Sequence, residues 1–199
     1  MQFSGQRARD VSSCRGVSAR RFNASLVVST VLVTVLAGVA SAAAGIALPA
    51  QVTGWVTYTG AGGVTFQHPS SWTVSHTTTG PLYVFIDPAG RASFRRNINL
   101  VLQTSAEPLT AAGYLEIDLG QIRQDHGTIT QQHAVSFDGT PGYRVVWTAK
   151  VSGSTYELLS QWTIRHGEAW LFTFTSDPAR FGSVLPIVER LLASLKLPV

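Results

Sequence analysis

YELLSQWTIRHGEAWLFTFT, residues 156–175, is the stretch that decides the predicted fold. In its second half Trp170, Phe172 and Phe174 fall on one side of an extended chain, and the intervening residues fall on the other. The first half alternates in the same way. A period of two is typical of a β-strand with two different faces. Because only Gly167-Glu168 joins the halves, they are predicted to form an antiparallel hairpin.

The same alternation predicts further strands before this hairpin. The predicted strands, in chain order, are 54–59, 64–68, 72–78, 82–86, 97–102, 128–137, 143–151, 156–166 and 169–175. The first two form a predicted hairpin across the Gly-rich turn 60–63, which is not a phosphate loop because no helix follows it. The long strands 128–137 and 143–151 are joined through 138–142. Short turns between long strands predict an antiparallel meander.

The predicted strand 97–102 indicates how the sheet is covered. Ile98, Leu100 and Leu102 fall on one face, while Asn97, Asn99 and Val101 fall on the other. An apolar face opposite a polar face predicts a sheet that is covered on one side only.

The first predicted helix runs from Thr110 to His126. Apolar residues recur at helical spacing within this segment. Thr110 is suited to the N-cap and Gly127 to the C-terminal stop.

A second helix is predicted near the end of the chain, to begin at Ser183 after a short turn that carries Phe181. Pro186 then lies in its first turn, where a missing N–H costs little. The helix has a broad apolar face, which is predicted to close over the sheet. The predicted class is therefore α+β, an antiparallel meander flanked by helices.

An uncharged apolar run, residues 24–50, precedes the strands and sets the domain organisation. A run of about 20 residues or more can cross a membrane as a helix. The five arginines of the basic tail, residues 1–23, predict that the tail stays in the cytoplasm. The alternative is a signal peptide cleaved near Ala42 or Ala44. Both interpretations place residues 51–199 outside the cytoplasm, as one extracytoplasmic domain.

Charge and cysteine content exclude several functions for residues 51–199. Five of the 15 Lys and Arg and one of the 11 Asp and Glu precede residue 51, which leaves ten of each and a net charge of zero. Nucleic-acid binding needs clustered positive charge, so it is not expected. The single cysteine, Cys14, lies in the tail, so the domain has neither a disulfide nor a reactive thiol.

Three motifs resemble the PsbP-like superfamily: GGVTFQHPSSW at 62–72, YVFIDPAGR at 83–91 and LLASLKLP at 191–198. The resemblance covers nearly all of 54–197. The bacterial members of this superfamily include DcrB-like and LpqN-like envelope proteins and the extracytoplasmic domains of some Ser/Thr protein kinases. The resemblance implies an antiparallel sheet sandwiched between helices, and accessory or binding work rather than chemistry. Only a short tail precedes the apolar run, so phosphotransfer is not expected.

No catalytic, metal or cofactor site is predicted. The five histidines are His68, His76, His126, His133 and His166, and no two have the close spacing of metal ligands in short motifs. Ser160 and His166 are the residues from which a hydrolase triad would be built, but the nucleophile motif G-x-S-x-G is absent.

The charged candidates are predicted to be solvated. Glu116 and Asp118 point to different sides of the first helix, which favours ordinary helix surface over a carboxylate pair. Arg91, Arg95 and Arg96 form the one local basic cluster in the domain, predicted to be a solvated loop rather than an anion site.

The aromatic residues are the remaining candidates for a binding surface, namely Trp55, Tyr58, Trp72, Trp147, Trp162 and Trp170. Most are predicted to be core, and one or two left exposed would mark a partner surface or a contact with the membrane interface. The expected function is that of a non-enzymatic, membrane-anchored envelope protein whose domain binds a protein partner, as an accessory or sensor module. The alternative is a secreted or periplasm-side carrier of a small apolar ligand, held in a cleft between sheet and helix. A hydrolase is the third possibility.

Overall fold

The computed structural model describes residues 54–60, 63–77, 83–88 and 96–198. These residues form the strands β1 (Trp55–Thr59), β2 (Thr65–Pro69), β3 (Thr73–His76), β4 (Tyr83–Ile86), β5 (Asn97–Gln103), β6 (Thr128–Phe137), β7 (Thr140–Val151), β8 (Ser154–Arg165) and β9 (Glu168–Ser176), and the helices α1 (Ala111–Gln124) and α2 (Pro178–Ser194). None of the helices in this part of the chain is long and apolar enough to cross a bilayer. The tail and the apolar run 24–50 lie outside the described residues, so both remain predictions.

The strands form two antiparallel sheets. The larger has seven strands in the order β3-β4-β5-β9-β8-β7-β6, and the smaller is the hairpin β1-β2. The predicted meander is confirmed from β6 to β9. Strands β3 to β5 extend it, because β5 pairs with β9 on the side that β8 leaves open. The hairpin β1-β2 is confirmed as a unit but is a separate sheet.

Three two-residue turns join the strands of the meander. Asp138-Gly139, Ser152-Gly153 and His166-Gly167 all have positive φ at both positions, between 50° and 83°. This is the geometry of a type I′ turn, whose twist matches that of paired strands. β7 therefore begins at Thr140, and the predicted link 138–142 was too long. The turn between β8 and β9 consists of His166 and Gly167, and it begins one residue before the predicted pair Gly167-Glu168.

The helix α1 confirms the first helix prediction. Its N-cap is Thr110, whose Oγ1 accepts a hydrogen bond from the backbone N–H of Gly113 at 3.1 Å. Its C-terminus differs in detail, because the left-handed residue is His126, with a φ of 55°, and not Gly127. The N–H of Gly127 donates to the carbonyl of Ile122 at 2.8 Å, which closes a Schellman motif.

The prediction for the last helix was wrong about where the helix begins. α2 is continuous from Pro178, with Asp177 at the N-cap and Pro186 inside the helix. Ser183 is not a cap, since its Oγ donates to the carbonyl of Arg180 at 2.8 Å. An internal proline costs about 3 kcal/mol. Burying Phe181 and Val184, which both precede Pro186, yields about 1.5 to 3 kcal/mol each, enough to keep the first turns helical.

α2 and the hairpin cover one face of the seven-stranded sheet. Phe66 of β2 packs edge-on against Phe85, with ring centroids 4.6 Å apart, and against Tyr83 at 5.8 Å. Phe174 packs against Phe181 of α2 at 5.3 Å. We call this apolar side of the sheet the aromatic face.

Helix α1 lies on the opposite side of the sheet, where it packs on apolar side chains such as Val145 and Trp162 beside a row of buried polar residues. We call this side, after that row, the polar face. In β5, Ile98 and Leu100 are buried on the aromatic face, while Asn97 and Asn99 on the polar face are only 7% and 5% exposed. The prediction that the sheet is covered on one side was therefore wrong. Both faces of β5 are buried, and the asparagines reflect a polar interior rather than contact with solvent.

Candidate functional site

A row of small polar side chains crosses the polar face. Ser160 of β8 lies opposite Thr173 of β9, which in turn lies opposite Asn99 of β5. Because directly paired residues share one face of a sheet, the three side chains are neighbours. Ser160 is only 3% exposed. Hydroxyl and amide groups this deeply buried are retained only where hydrogen bonds compensate their lost hydration.

Hydrogen bonds within the polar face engage some members of this row. The indole Nε1 of Trp147 donates to Ser160 Oγ at 3.3 Å. Asn99 Nδ2 donates to Asn97 Oδ1 over a long 3.5 Å. Ser160 and Asn99 are therefore buried polar residues that each have a hydrogen-bond partner on the same face of the sheet.

The helix α1 adds one carboxylate to this face. Asp118 Oδ2 accepts a hydrogen bond from the indole Nε1 of Trp162 at 3.1 Å, and the Trp162 side chain is completely buried. Burial raises the pKa of Asp118 to about 6, although the indole hydrogen bond partly opposes the shift. Asp118 therefore gains and loses its proton close to neutral pH, which an exposed aspartate does not.

Tyr114 completes the surroundings of Asp118, one helical turn earlier. Its ring meets Trp162 edge-on at 4.7 Å, and its hydroxyl donates to Gln103 Oε1. Burial, with a further contribution from the Asp118 charge, raises the pKa of Tyr114 well above its ordinary value. We call Asp118, Tyr114, Trp162 and Gln103 the Asp118 site. It holds one titratable carboxyl and one phenol that stays protonated, a set suited to hydrogen bonding and to sensing protons.

The prediction that both acids of α1 are solvated is half correct. Glu116 is exposed, whereas Asp118 is half-buried against Trp162. The spacing of Tyr114 and Asp118, four residues apart on one side of the helix, was the available signal. It was insufficient because the decisive partner, Trp162, is 44 residues away in the chain.

Ser160 and His166 do not come together as a catalytic pair. They lie six positions apart along β8 and the turn after it, which corresponds to about 20 Å of extended chain. Ser160 Oγ accepts from Trp147, and His166 is a left-handed turn residue with a φ of 54°. The geometry therefore agrees with the sequence argument against a triad built on these two residues.

The other histidines occupy unrelated places. His68 is buried in β2 with its Nδ1 2.8 Å from the carbonyl of Pro69, which fits a structural role. His76 packs against the ring of Tyr83, His126 ends α1, and His133 is exposed on β6. Across the described ranges, no three His, Cys, Asp or Glu side chains are grouped as metal ligands would be.

One residue of the predicted basic cluster, Arg96, is not solvated as predicted. Arg96 Nη2 lies 2.6 Å from Asp87 Oδ2, and both side chains are less than a tenth exposed. Buried charges are kept where they are paired, so Arg96 serves an internal ion pair. Arg91 and Arg95 lie outside the described residues.

Most of the six tryptophan and tyrosine candidates belong to the core, as predicted, but none of the six is left exposed. Trp72, Trp147, Trp162 and Trp170 are buried. Trp55 and Tyr58 of β1 are only partly buried. The guanidinium carbon of Arg190, on the exposed side of α2, lies 4.1 Å from the centre of the Trp55 ring. Such a cation–π pair has no sequence signal, because the two residues are 135 positions apart.

Comparison with known proteins informs the fold. No protein-family model matches the sequence. No curated protein sequence matches it either. Among solved structures, the chain is similar to the cyanobacterial PsbP (CyanoP) of Synechocystis sp. PCC 6803, with 17% identity and a TM-score of 0.54 over 79% of this chain and 98% of that one.

Two further structures are similar to the chain at lower identity. LpqN, described as involved in cell envelope biogenesis of Mycobacterium tuberculosis, has 10% identity and a TM-score of 0.57 over 73% of this chain and 91% of that one. PA94 of Pseudomonas aeruginosa, a protein of unknown function described as a putative regulator, has 14% identity and a TM-score of 0.50 over 68% of this chain and 91% of that one. None of the three descriptions states an enzymatic activity. The chain has a PsbP-like fold, as the sequence motifs indicated.

Proposed function

We propose that residues 51–199 form a non-enzymatic, extracytoplasmic domain that binds a protein partner as an accessory or sensor module. In this proposal the apolar run 24–50 holds the domain at the outer face of the cytoplasmic membrane. The description of LpqN as a cell-envelope protein supports the location. The neutral charge of the domain supports a protein partner over nucleic acid.

The observation that carries the proposal is the Trp55–Arg190 pair. Tryptophan and arginine are the residues most enriched where binding energy concentrates in protein interfaces. Here the guanidinium lies over the ring at 4.1 Å, so the two side chains are already in contact in the absence of a partner. A preordered pair loses less side-chain entropy on binding than two free side chains.

The position of the pair supports an accessory role at a membrane. Trp55 lies five residues after Ala50, the last residue of the apolar run. Five residues of extended chain span at most about 18 Å. If the run is retained as an anchor, the Trp55–Arg190 pair faces the membrane-proximal zone, where partners in the same membrane are found.

The packing of the aromatic face favours this function over the carrier alternative. An apolar-ligand carrier needs a cleft lined by aromatic side chains between the sheet and a helix. Instead Phe66, Tyr83 and Phe85 pack on one another at ring distances of 4.6 to 5.8 Å, and Phe174 packs on Phe181 of α2. Among the described residues, these rings contact one another between the sheet and its cover, which supports a packed interior over a cleft.

The test is a charge reversal with a matched control. Full-length tagged chains carrying Arg190→Glu or Arg180→Glu are compared with wild type by mild cross-linking in the native cells and mass spectrometry of the captured proteins. Arg180 is exposed on the same helix and serves as the control. We expect the wild-type and Arg180→Glu chains to capture a specific envelope protein, and the Arg190→Glu chain not to capture it. Equal capture by all three chains would contradict the assignment of this surface.

A failure of the anchored accessory function itself gives a different result. In that case the wild-type chain begins near Ala42 or Ala44 by mass spectrometry and brings down no specific protein, whichever arginine is present.

A further inference from the structure

Within the described residues, strand β6 forms a long edge of the main sheet on which no further strand pairs. It is ten residues long, TITQQHAVSF, and seven of those residues are exposed. It contains no Asp, Glu, Lys or Arg and no Pro. In the described part of the chain it pairs with β7 alone. An exposed, uncharged edge of this length is a template for another strand.

The opposite edge of the sheet is different. It is formed by β3, which has only four residues, Thr73–His76. Short edge strands and charged or proline residues are the usual means by which proteins prevent edge pairing. The β3 edge has the first of these. A β-bulge is another such device, and β6 has one, but it lies near the start of the strand, between Ile129 and Gln131, and β6 is regular from there to Phe137.

The register of the β6–β7 hairpin shows which backbone groups of β6 point away from the sheet. In a two-residue hairpin the flanking pair, here Phe137 and Thr140, exchanges both of its hydrogen bonds. The next pair, Ser136 with Pro141, is then of the non-bonded kind, in agreement with the missing N–H of proline. The backbone N–H and C=O groups of successive residues point alternately toward β7 and away from it. Those of Gln132, Ala134 and Ser136 therefore point outward.

We propose that β6 pairs antiparallel with β6 of a second copy of this chain, to form a symmetric dimer with one continuous sheet. A two-fold axis at Ala134 matches the three outward-pointing residues with one another. Ala134 meets Ala134 of the second copy, and Gln132 meets Ser136 of the second copy. Each matched pair exchanges two backbone hydrogen bonds.

The side chains of β6 suit pairing with themselves. The residue on the axis meets its own copy, and Ala134 is the smallest side chain on the strand. Any charged residue near the axis would face a like charge, and this strand has none. Gln132 opposite Ser136 brings together two side chains that hydrogen-bond each other, and His133 falls opposite Val135. These features favour a second copy over a charged partner.

The two-fold symmetry is also compatible with anchoring in one membrane. Antiparallel pairing of two edges in one sheet places the axis normal to the sheet, so equivalent faces of both copies lie on the same side. The hairpin β1-β2 packs on the aromatic face through Phe66. Both copies of Trp55 therefore lie on one side of the dimer.

The register is tested by cysteine cross-linking in the full-length chain with Cys14 replaced by Ser, since the rest of the sequence contains no cysteine. With the axis at residue 134, Ala134→Cys places the two Cα atoms about 5.5 Å apart, within reach of a disulfide. Gln132→Cys lies on the same strand and is equally exposed. Its two copies are about 13 Å apart along the strands, which is too far.

We expect mild oxidation of cell membranes to convert Ala134→Cys, but not Gln132→Cys, to a band of twice the chain mass on a non-reducing gel. The proposal is overturned if Ala134→Cys stays monomeric or if Gln132→Cys cross-links as readily.

The second measurement is the mass of the purified full-length chain in mild detergent by light scattering. We expect a dimer for wild type and for Thr128→Lys, which lies before the bulge, and a monomer for Ala134→Lys, where two ammonium groups meet. Circular dichroism confirms that both variants are folded. A monomeric wild type, or a dimeric Ala134→Lys, contradicts the proposal.

Discussion

The two faces of the seven-stranded sheet are built on different principles. On the aromatic face, Phe172 and Phe174 alternate into a core that α2 and the hairpin seal. On the polar face, Thr173 lies between Phe172 and Phe174 in sequence, yet its neighbours are Ser160 and Asn99. Alternate residues of β9 therefore face an aromatic core on one side and buried polar side chains on the other, which is also the side where Asp118 of α1 meets Trp162. The difference shows where mutations should affect stability and where they should affect response to pH.

The largest expected effect comes from the aromatic face. Phe172→Ala should lower the free energy of unfolding by about 3 to 5 kcal/mol, because it removes a fully buried ring and leaves a cavity. Its neighbour Thr173→Val, on the polar face, is the matched control and should cost much less. Urea unfolding measures both. Similar losses for the two variants would show that the faces do not differ in this way.

The second effect is the pH dependence that Asp118 confers. Its pKa is about 6 in the folded protein, whereas that of an exposed aspartate is 3.8. A carboxyl whose pKa is raised on folding stabilises the folded state in its protonated form. The contribution of Asp118 to the free energy of unfolding is therefore fully present below about pH 4 and is lost as the pH rises through 6. Two pKa units correspond to at most about 3 kcal/mol.

The variant Asp118→Asn isolates this contribution. It keeps an oxygen that accepts from Trp162 but cannot ionise. We expect it to be more stable than wild type at about pH 8 and equal to wild type at about pH 4. The quantity to measure is the difference in unfolding free energy between the two proteins at each pH, because other groups titrate in both. A difference that does not change with pH contradicts the raised pKa.

The third effect concerns the hydrogen bond between Trp147 and Ser160. Ser160→Ala leaves the buried indole N–H of Trp147 without its acceptor and should cost about 1 to 3 kcal/mol. If the hydrogen bond is the cause, Ser160→Ala should cost little in a Trp147→Phe background, which a double-mutant cycle measures. Additive losses would assign the effect to packing instead.

The smallest effect is expected at the Trp55–Arg190 pair. Arg190→Ala should reduce stability by only about 0.5 to 1 kcal/mol, the usual magnitude of an exposed cation–π contact. Thermal unfolding of this variant beside Arg180→Ala provides the comparison. A loss of several kcal/mol would mean that the pair maintains the fold rather than presenting a binding surface.

The strands, their antiparallel order from β6 to β9 and helix α1 were all predictable from sequence. Alternation and turn residues act locally, and local signals such as the Thr110 cap or Asp138-Gly139 are visible in the chain. The start of α2 was not predictable, because Ser183 and Pro186 are good local start signals. They are overridden by the burial of Phe181 and Val184 against the sheet.

The candidate site was less predictable than the fold. Asp118 has the pattern of an exposed helix residue, and only pairing with Trp162 makes it unusual. The Trp55–Arg190 pair and the buried Arg96–Asp87 pair depend on tertiary packing in the same way. Such contacts follow from how sheets and helices are assembled, and hydrophobic periodicity carries no information about them.

The central claim is that the polar face holds a carboxyl that titrates near neutral pH. The direct measurement is an NMR pH titration of the side-chain carboxyl carbon of Asp118, assigned with Asp118→Asn. The account predicts a midpoint near pH 6. A midpoint near 4, the value of an exposed aspartate, would contradict it and would make Asp118 an ordinary residue of the helix surface.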